Sequence, residues 1–165
     1  MVIIVMGVSA SGKTEVGELL APLIDGEFLD ADDFHSDANK QKMENNTPLT
    51  DEDRAPWLQT LRDLIAQRME DTKHTVLACS ALKVEYRYQI RVDQRKVVLA
   101  YLKGDADGLA KRIMERDHEY FSGLDMLVSQ LCTLEEPRDW ENALVLDRTK
   151  EWSVNAAEIK AHYGL

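Results

Sequence analysis

Short apolar runs alternate along the chain with longer stretches in which apolar residues recur at helical spacing. The first run, Val2 to Met6, is rich in β-branched residues and ends at Gly7, which predicts a strand buried on both faces. Four more strands are predicted in the same way: a short one ending at Asp30, then Thr75–Cys79, Val97–Leu102 and Leu144–Leu146, the last ending at Asp147. Strands that alternate with helices imply βαβ units, so we expect an α/β domain with a five-stranded parallel sheet and helices on both faces.

The helical stretches are predicted from the same periodicity and from their capping residues. Thr50 is expected to cap one helix, with Asp53 in the capping-box position, and Ser153 to cap the last, which ends before Gly164. Residues 32–54 are polar and contain Pro48, so they should form helices and loops outside the sheet, and 117–123 should form a loop. The predicted helices are Lys13–Ile24, Asp51–Met69, Lys83–Val92, Asp105–Arg116, Leu124–Leu134 and the last one.

Length and charge limit the class of protein. The 165 residues suit a single domain, 1–165, and the net charge of −10 disfavours nonspecific nucleic-acid binding and binding to anionic membranes. No apolar run approaches the ~20 residues of a membrane helix, so we expect a cytoplasmic protein without a membrane partner. Cys79 and Cys132 lie far apart and have no CxxC pattern, which favours two small buried hydrophobic residues over a disulfide or a zinc site.

A glycine-bounded loop follows the first strand. Residues 7–14 match the phosphate-binding pattern G-x-x-x-x-G-K-[ST] at every fixed position, with a strand before and a helix after. Backbone N–H groups of such a loop surround phosphate oxygens, Lys13 reaches the β- and γ-phosphates, and Thr14 is a ligand for Mg²⁺. The predicted nucleotide-binding residues are Gly7, Val8, Ser9, Ala10, Ser11, Gly12, Lys13 and Thr14.

The pattern that reads guanine in GTPases, Asn-Lys-x-Asp, is missing. The sole Asn-Lys pair, Asn39-Lys40, is followed by Gln41 and Lys42. A compact kinase of small metabolites is therefore the leading class, with ATP and Mg²⁺ as the expected cofactors.

Carboxylates and a histidine follow the second strand. Asp30 and Asp32 come at the carboxyl end of that strand, at the edge of the sheet where ligands of open α/β folds bind. Asp30 could hold a Mg²⁺-bound water, and Asp32 could orient and deprotonate an attacking hydroxyl. A solvated acidic turn that caps a helix explains the same residues equally well, and His35 taken alone is more typical of a surface or capping residue.

Taken together, these motifs resemble the gluconokinase family of small P-loop kinases. The shared segments extend over roughly four-fifths of the chain. They are Gly7–Thr14, Asp30–His35 with Asn39 and Lys42-Met43, Thr47–Leu58, Ala78–Lys83 with Tyr86-Arg87, Ser129-Gln130 and Leu134–Pro137.

This resemblance implies a three-layer P-loop kinase fold and ATP-dependent phosphorylation of D-gluconate at its 6-hydroxyl, with Mg²⁺ required. It also implies a substrate-binding segment at about 32–56, a lid at about 116–124 and a homodimer. Arg112 and Arg116 are expected to be catalytic together with Lys13 and Asp32, closing over the transferred phosphoryl group, although Arg112 could instead pair with an acidic residue. The expected substrate-binding residues are Asp32, His35, Arg54, Lys83 and Arg87.

The sequence departs from the family pattern at three places. In the lid, His118 lies two residues after Arg116 instead of three, and Tyr120 stands at the position expected for the histidine, so no role is assigned to His118. Asn45-Asn46-Thr47 lacks a usual glycine. Ala10 replaces a loop glycine, which is tolerated at negative φ and weakens the loop at positive φ.

Two alternatives remain open at the level of sequence. One keeps the chemistry and changes the acceptor, as in shikimate, adenylylsulfate or dephospho-coenzyme A kinases, although the Gly-Gly turn of shikimate kinases is missing. The other is a regulatory module that senses or slowly hydrolyses a nucleotide, against which the presence of Asp32, Arg54 and the lid arginines argues.

Overall fold

The computed structural model describes residues 1–45, 47–116 and 120–165, without the side chains of residues 116 and 120–122. Its centre is a five-stranded, wholly parallel sheet with the strand order β2-β3-β1-β4-β5. The strands are β1 (Val2–Met6), β2 (Gly26–Asp30), β3 (His74–Ala78), β4 (Val97–Lys103) and β5 (Leu144–Asp147). The predicted α/β fold is confirmed.

Helices cover both faces of this sheet. They are α1 (Lys13–Leu23), α2 (Asp37–Glu44), α3 (Asp51–Arg68), α4 (Val84–Ile90), α5 (Ala106–Arg116), α6 (Tyr120–Thr133) and α7 (Trp152–Tyr163), with single 3-10 turns at Ala31–Phe34 and Asp139–Glu141. Among the described residues, no helix is long and apolar enough to cross a membrane.

The central strand β1 shows why the sheet needs two helical layers. All of its residues are fully buried, and successive side chains point to opposite faces. Ile4 and Met6 pack with residues of α3 and α4, among them Leu61, whereas Ile3 packs with residues of α1 and α7, such as Leu20. The apolar run at the amino end of the chain is therefore the middle of two hydrophobic cores.

The order of the strands creates a crevice at their carboxyl ends. The chain moves from β1 to β2 on one side, returns to β3, and then crosses β1 to reach β4 on the other side. Ligands of open α/β sheets bind where the connections diverge in this way. A third apolar cluster, which includes Val8, Leu109 and Leu127, packs α5 and α6 against the loop that follows β1.

Capping chemistry explains the start of α3. The Thr50 hydroxyl accepts a hydrogen bond from the Asp53 N–H at 3.1 Å, and the Asp53 carboxylate accepts one from the Thr50 N–H at 2.9 Å. This is the predicted capping box, and it is confirmed.

Three local predictions are wrong. Helix α7 is capped by Glu151 and already includes Ser153, so Ser153 is not its cap. The segment predicted as a loop at 117–123 is helical from Tyr120 onwards, and residues 117–119, with His118, lie outside the described residues. Helix α4 begins at Val84, which makes Lys83 its N-cap residue.

Candidate active site

The loop between β1 and α1 has the backbone of a phosphate-binding loop. Gly7 and Gly12 adopt φ angles of 153° and 99°, and a side chain at Gly7 would come within 2.6 Å of the Ser11 hydroxyl oxygen. Ser11 is buried, and its hydroxyl has no hydrogen-bond partner among the described residues. A glycine-lined turn with a buried, unpaired polar atom at the start of α1 fits a bound phosphate group.

Ala10 occupies the left-handed region with φ at 61°. The sequence predicted that alanine would weaken the loop if φ were positive here, and φ is positive. An L-residue with a Cβ pays about 1–2 kcal/mol in this conformation. The loop therefore holds backbone strain at its tip.

Lys13, the first residue of α1, folds back over the loop. Its ammonium group donates to the Val8 carbonyl at 3.1 Å. Burial lowers the pKa of Lys13, while the nearby carboxylates of Asp32, Asp30 and Glu15 act in the opposite direction. The hydrogen bond of this ammonium group to a neutral carbonyl is weaker than a charge-assisted bond to phosphate, so a bound phosphate group can replace the Val8 carbonyl as its partner.

Thr14 and Asp30 come together across the crevice. The Thr14 hydroxyl donates to Asp30 Oδ2 at 3.5 Å, and Asp30 Oδ1 accepts from the Asp32 N–H at 3.0 Å. A hydroxyl and a carboxylate are hard oxygen donors, and Mg²⁺ is commonly held by one or two such ligands together with waters and phosphate. The pair fits the ion predicted from the sequence.

Asp32 is the second residue of the 3-10 turn that follows Asp30, and it lines a cavity. Its side chain is 59 % exposed into this concave space. The restricted hydration there, followed by the Asp30 carboxylate, raises the pKa of Asp32, and Lys13 partly offsets the rise. A carboxylate with a raised pKa is better suited to accept a proton from a hydroxyl than an ordinary surface aspartate.

The cavity adjoining Asp32 measures about 430 Å³, within the usual range for a small-molecule site. Its walls come from the predicted substrate-binding segment, the loop after β3 and helix α6. Aromatic surfaces of Trp57 and Tyr86 lie beside polar groups of Ser80, Ser129 and Gln130. Such a mixture suits a compact molecule with several hydroxyl groups.

His35 forms part of this wall and is almost fully buried. Its ring stacks on Trp57 with a centroid separation of 4.3 Å, and the Trp57 Nε1–H donates to the Ala31 carbonyl at 2.8 Å. Burial, followed by the charges of Arg54 and Lys40, lowers the pKa of His35 to about 4. The ring is therefore neutral at physiological pH.

Arg54 supplies positive charge to the cavity. Its guanidinium donates to the Leu49 carbonyl at 2.6 Å and lies 5.8 Å from the centre of the Tyr86 ring. A guanidinium has five N–H groups, more than one carbonyl can use, and its planar fork matches a carboxylate. Arg54 therefore lines the cavity, and its predicted role in substrate binding stays a prediction.

Lys83 is turned towards another partner. Its ammonium group contacts both oxygens of Asp51 at 2.8 and 2.9 Å, and the Tyr86 hydroxyl donates to the same carboxylate. Hydrogen bonds from Lys83 and Tyr86 lower the pKa of Asp51. The ammonium group of Lys83 contacts α3 in this structure, and its predicted contact with substrate stays a prediction.

Arg87 does not belong to the site, and its predicted role in substrate binding is wrong. Its side chain is fully buried, and its charge is compensated there by the Glu141 carboxylate, which two of its nitrogens contact at 2.6 and 2.8 Å. The third donates to the Ala81 and Leu82 carbonyls at 2.8 and 3.2 Å. Arg87 supports the loop beneath the cavity from the protein interior.

Arg112 lies beside the start of α1. It pairs with Glu15 at 2.7 Å, and its guanidinium carbon is 5.0 Å from the centre of the Trp152 ring. Both Arg112 and Trp152 approach Gly12, where an added Cβ would lie 3.4 and 3.3 Å from them. Arg112 thus pairs with an acidic residue, which was the alternative to a catalytic role in the sequence analysis. It nevertheless lies next to the phosphate loop. The side chain of Arg116 lies outside the described part.

Gln130 connects the cavity with the phosphate loop, and no role was assigned to it from the sequence. It lines the cavity from α6, and its side-chain oxygen accepts a hydrogen bond from the Ser9 N–H at 2.6 Å. The one available signal was its place in the Ser129-Gln130 pair, which carries no information about distance to the loop.

The two cysteines have different surroundings. Cys79, at the end of β3, is buried, and burial raises the pKa of its thiol to about 12. Cys132 lies on α6 and is exposed, so the prediction of two buried residues is wrong for Cys132.

Comparison with known proteins gives consistent matches. A family model described as an AAA domain matches residues 2–137. A probable gluconokinase of Xenopus tropicalis is 39 % identical over 97 % of this chain and 92 % of its own length. The thermoresistant gluconokinase of Escherichia coli K12 is 40 % identical over 87 % and 82 % of the two chains.

Solved structures agree with these relatives. The crystal structure of a gluconokinase from Sinorhizobium meliloti 1021 superimposes with a TM-score of 0.85 at 33 % identity. The alignment covers 98 % of this chain and 90 % of the other.

Proposed function

Because this chain belongs to the gluconokinase family, we propose that it transfers the γ-phosphoryl group of ATP to the 6-hydroxyl of D-gluconate. The bond between the γ-phosphorus and the β–γ bridging oxygen breaks, a bond from phosphorus to the 6-oxygen forms, and ADP and 6-phosphogluconate leave. The observation that carries the proposal is the cavity of about 430 Å³, which is lined by Asp32 and Arg54 and is joined to the phosphate loop through Gln130.

The nucleotide is bound by residues 7–14. Loop N–H groups and the amino end of α1 hold the phosphate oxygens, and Lys13 moves its ammonium group from the Val8 carbonyl to them. Thr14 and Asp30 would hold Mg²⁺, which would offset the negative charge of the phosphate groups. Arg112, already beside Gly12, is expected to add positive charge near the phosphates, together with Arg116.

Gluconate binds in the cavity with its two ends distinguished by charge. Arg54 pairs with the carboxylate, and Asp32 receives the proton of the 6-hydroxyl as that oxygen attacks. Phosphoryl transfer has a loose transition state, so the main contribution of these residues is to place the acceptor oxygen in line with the phosphoryl group. Gln130 lies between the two sites and joins them, because it lines the cavity and accepts the hydrogen bond from the Ser9 N–H.

Three finer features stay predictions. We expect a homodimer, a cytoplasmic location and a lid at about 116–124 that closes over bound substrates.

The test is a coupled ADP-release assay with gluconate, other sugar acids, shikimate and nucleoside monophosphates as acceptors. We expect turnover with gluconate, and Lys13→Ala should abolish it while leaving the unfolding midpoint unchanged. Equal turnover without any acceptor, or a preference for shikimate, would refute the gluconate assignment.

The role of Asp32 has a matched control in the next residue. Asp32→Asn should lower kcat about 100-fold or more with little change in the KM for ATP, because the attacking hydroxyl loses its proton acceptor. Asp33→Asn removes a neighbouring exposed carboxylate and should leave kcat within about twofold. Equal losses in both variants would show that only the local charge matters.

A further inference from the structure

A buried amide, Asn39 on α2, lies behind the histidine of the cavity wall. Asn39 is 6 % exposed, and its Nδ2 lies 3.3 Å from His35 Nδ1. The same nitrogen donates to the backbone carbonyl of Asp53 at 2.8 Å. Asn39 therefore joins the cavity wall to the first turn of α3.

The carbonyl of Asp53 fixes the orientation of this amide. A carbonyl oxygen can only accept a hydrogen bond, so the group facing it is the NH₂ of Asn39 and not its oxygen. Two hydrogens are available on that nitrogen, one for Asp53 and one for His35. The amide orientation follows from the hydrogen-bond network and leaves Asn39 as a donor towards the ring.

This contact decides where the histidine carries its proton. Nδ1 must accept from Asn39, so in the neutral ring the proton lies on Nε2. The charged and titratable groups around the ring are Asp32, Arg54 and Lys40, from the 3-10 turn, α3 and α2. Burial and the two cations disfavour an imidazolium, so the ring presents a neutral N–H.

The Nε2–H group of His35 lies on the side of the ring that faces Asp32 and the cavity. Nε2 lies 4.0 Å from Asp32 Oδ1, which is longer than a hydrogen bond, and both residues line the cavity. Stacking on Trp57 holds the plane of the ring, and the contact between Nδ1 and Asn39 selects which edge of the ring faces the cavity. A hydroxyl oxygen placed near both groups can accept from His35 and donate to Asp32.

We infer that Asn39 is a positioning residue that keeps His35 as the neutral Nε2–H tautomer, so that His35 donates a hydrogen bond to a hydroxyl of the polyhydroxy acceptor. In this tautomer Nε2 cannot remove a proton, and His35 binds substrate without acting as a base. The inference deepens the proposed function and rests on it for the identity of the acceptor, whereas the tautomer itself does not depend on that identity.

The first test is ¹⁵N NMR of the histidine side chains in the full-length protein near neutral pH without substrate. The chain has four histidines, and the His35→Gln variant assigns the resonances of residue 35. We expect an unprotonated Nδ1 and a protonated Nε2. A protonated Nδ1, whether from the other tautomer or from an imidazolium, would overturn the inference.

The second test uses two variants of α2. Asn39→Ala removes the donor to Nδ1 and the bond to Asp53, whereas Lys42→Met removes only the pairing of Lys42 with the Asp53 carboxylate at 2.8 Å. Both variants loosen α2 from α3, but only the first changes the environment of His35. The NMR signals of His35 should show mixed tautomers in Asn39→Ala and stay as in wild type in Lys42→Met.

Kinetics then connect the tautomer to binding. A hydrogen bond made equally in the ground and transition states affects KM, so Asn39→Ala should raise the KM for gluconate about five- to tenfold with kcat within about threefold. Lys42→Met should leave both within about twofold. Equal KM changes in the two variants would overturn the positioning role, because loosening α2 would then explain them.

These measurements distinguish a failure of the proposed function from a failure of the tautomer assignment. If wild type fails to phosphorylate gluconate while His35 shows the expected tautomer, the proposed function fails and the tautomer assignment stands. If gluconate is phosphorylated while Nδ1 carries the proton, the proposed function stands and the role of Asn39 is refuted.

Discussion

At the scale of single residues, the tip of the phosphate loop carries strain that one substitution should relieve. Ala10→Gly removes the Cβ that disfavours its φ of 61°, so we expect a rise of about 0.5–1 kcal/mol in the free energy of unfolding, measured with urea.

The same change in a helix provides the control for Ala10. Ala66→Gly, within α3, should lower the free energy of unfolding by about 1 kcal/mol, because glycine disfavours a helix interior. Destabilisation by both substitutions would show that the packing of the Ala10 methyl group outweighs its backbone strain.

His35 should make the stability of the protein depend on pH. Its pKa is about 4 in the folded protein and about 6.5 when unfolded, so between these values the unfolded chain binds more protons. Stability should therefore fall as pH decreases from about 6.5 to 4, by up to about 3 kcal/mol from this residue.

Urea unfolding of His35→Gln between pH 4 and 7 measures this contribution. The stability of the variant should depend less on pH than that of wild type, because the variant lacks the part of the slope that His35 provides. If the free energy of unfolding depends on pH in the same way in His35→Gln and in wild type, the pKa of His35 is the same in the folded and the unfolded protein.

At the scale of elements, a buried ion pair fixes α4 to the turn before β5. Burial alone would raise the pKa of Glu141, but hydrogen bonds from Arg87 and the Arg138 N–H lower it. Arg87→Met leaves this carboxylate without its partner and should cost about 3–5 kcal/mol, measured by urea unfolding.

Replacing both partners tests this explanation of the cost. Arg87→Met combined with Glu141→Leu should recover part of the loss, because neither charge of the Arg87–Glu141 pair is left alone, whereas the buried Arg91 loses its attraction to Glu141. A double variant as unstable as Arg87→Met would indicate that the hydrogen bonds to the Ala81 and Leu82 carbonyls dominate.

The elements that sequence predicts well are those with local causes. β1 is a short apolar run, α1 follows a glycine turn with helical periodicity, and α3 begins at a capping box whose two residues are three apart. In each case the information lies within a few neighbouring residues.

The failures arise where distant contacts decide. Lys83 and Arg87 were both expected to bind substrate, but the partner of Arg87 is 54 residues away in the sequence, and Lys83 lies before the helix. Helix α6 begins at Tyr120, earlier than the predicted start at Leu124. This added part of the helix packs closely on α5, because a Cβ at Gly123 would lie 2.7 Å from Ile113. Gln130 contacts Ser9 across 121 residues, a distance no local pattern can encode.

At the scale of the whole molecule, the net charge of −10 opposes both anionic substrates. Binding must rely on local groups such as the loop N–H groups, Lys13 and Arg54, because the long-range field repels. Added salt shortens the Debye length from roughly 30 Å at 0.01 M to about 8 Å at 0.15 M and weakens that repulsion.

We therefore expect kcat/KM for gluconate, at saturating ATP and Mg²⁺, to stay constant or rise slightly between about 0.01 and 0.15 M KCl. Steady-state rates over this range provide the measurement. A loss of about tenfold would mean that attraction at long range assists binding, contrary to the charge of the chain.

The contrast between the two cysteines has a practical consequence. Thiol reagents attack the thiolate, so a buried thiol with a pKa of about 12 is inert at neutral pH, whereas Cys132 is exposed on α6. A maleimide dye will thus attach to one place in the native sequence. That place is two residues from Gln130, the side chain that joins the cavity to the phosphate loop, so the label will report on the helix that forms one wall of the cavity.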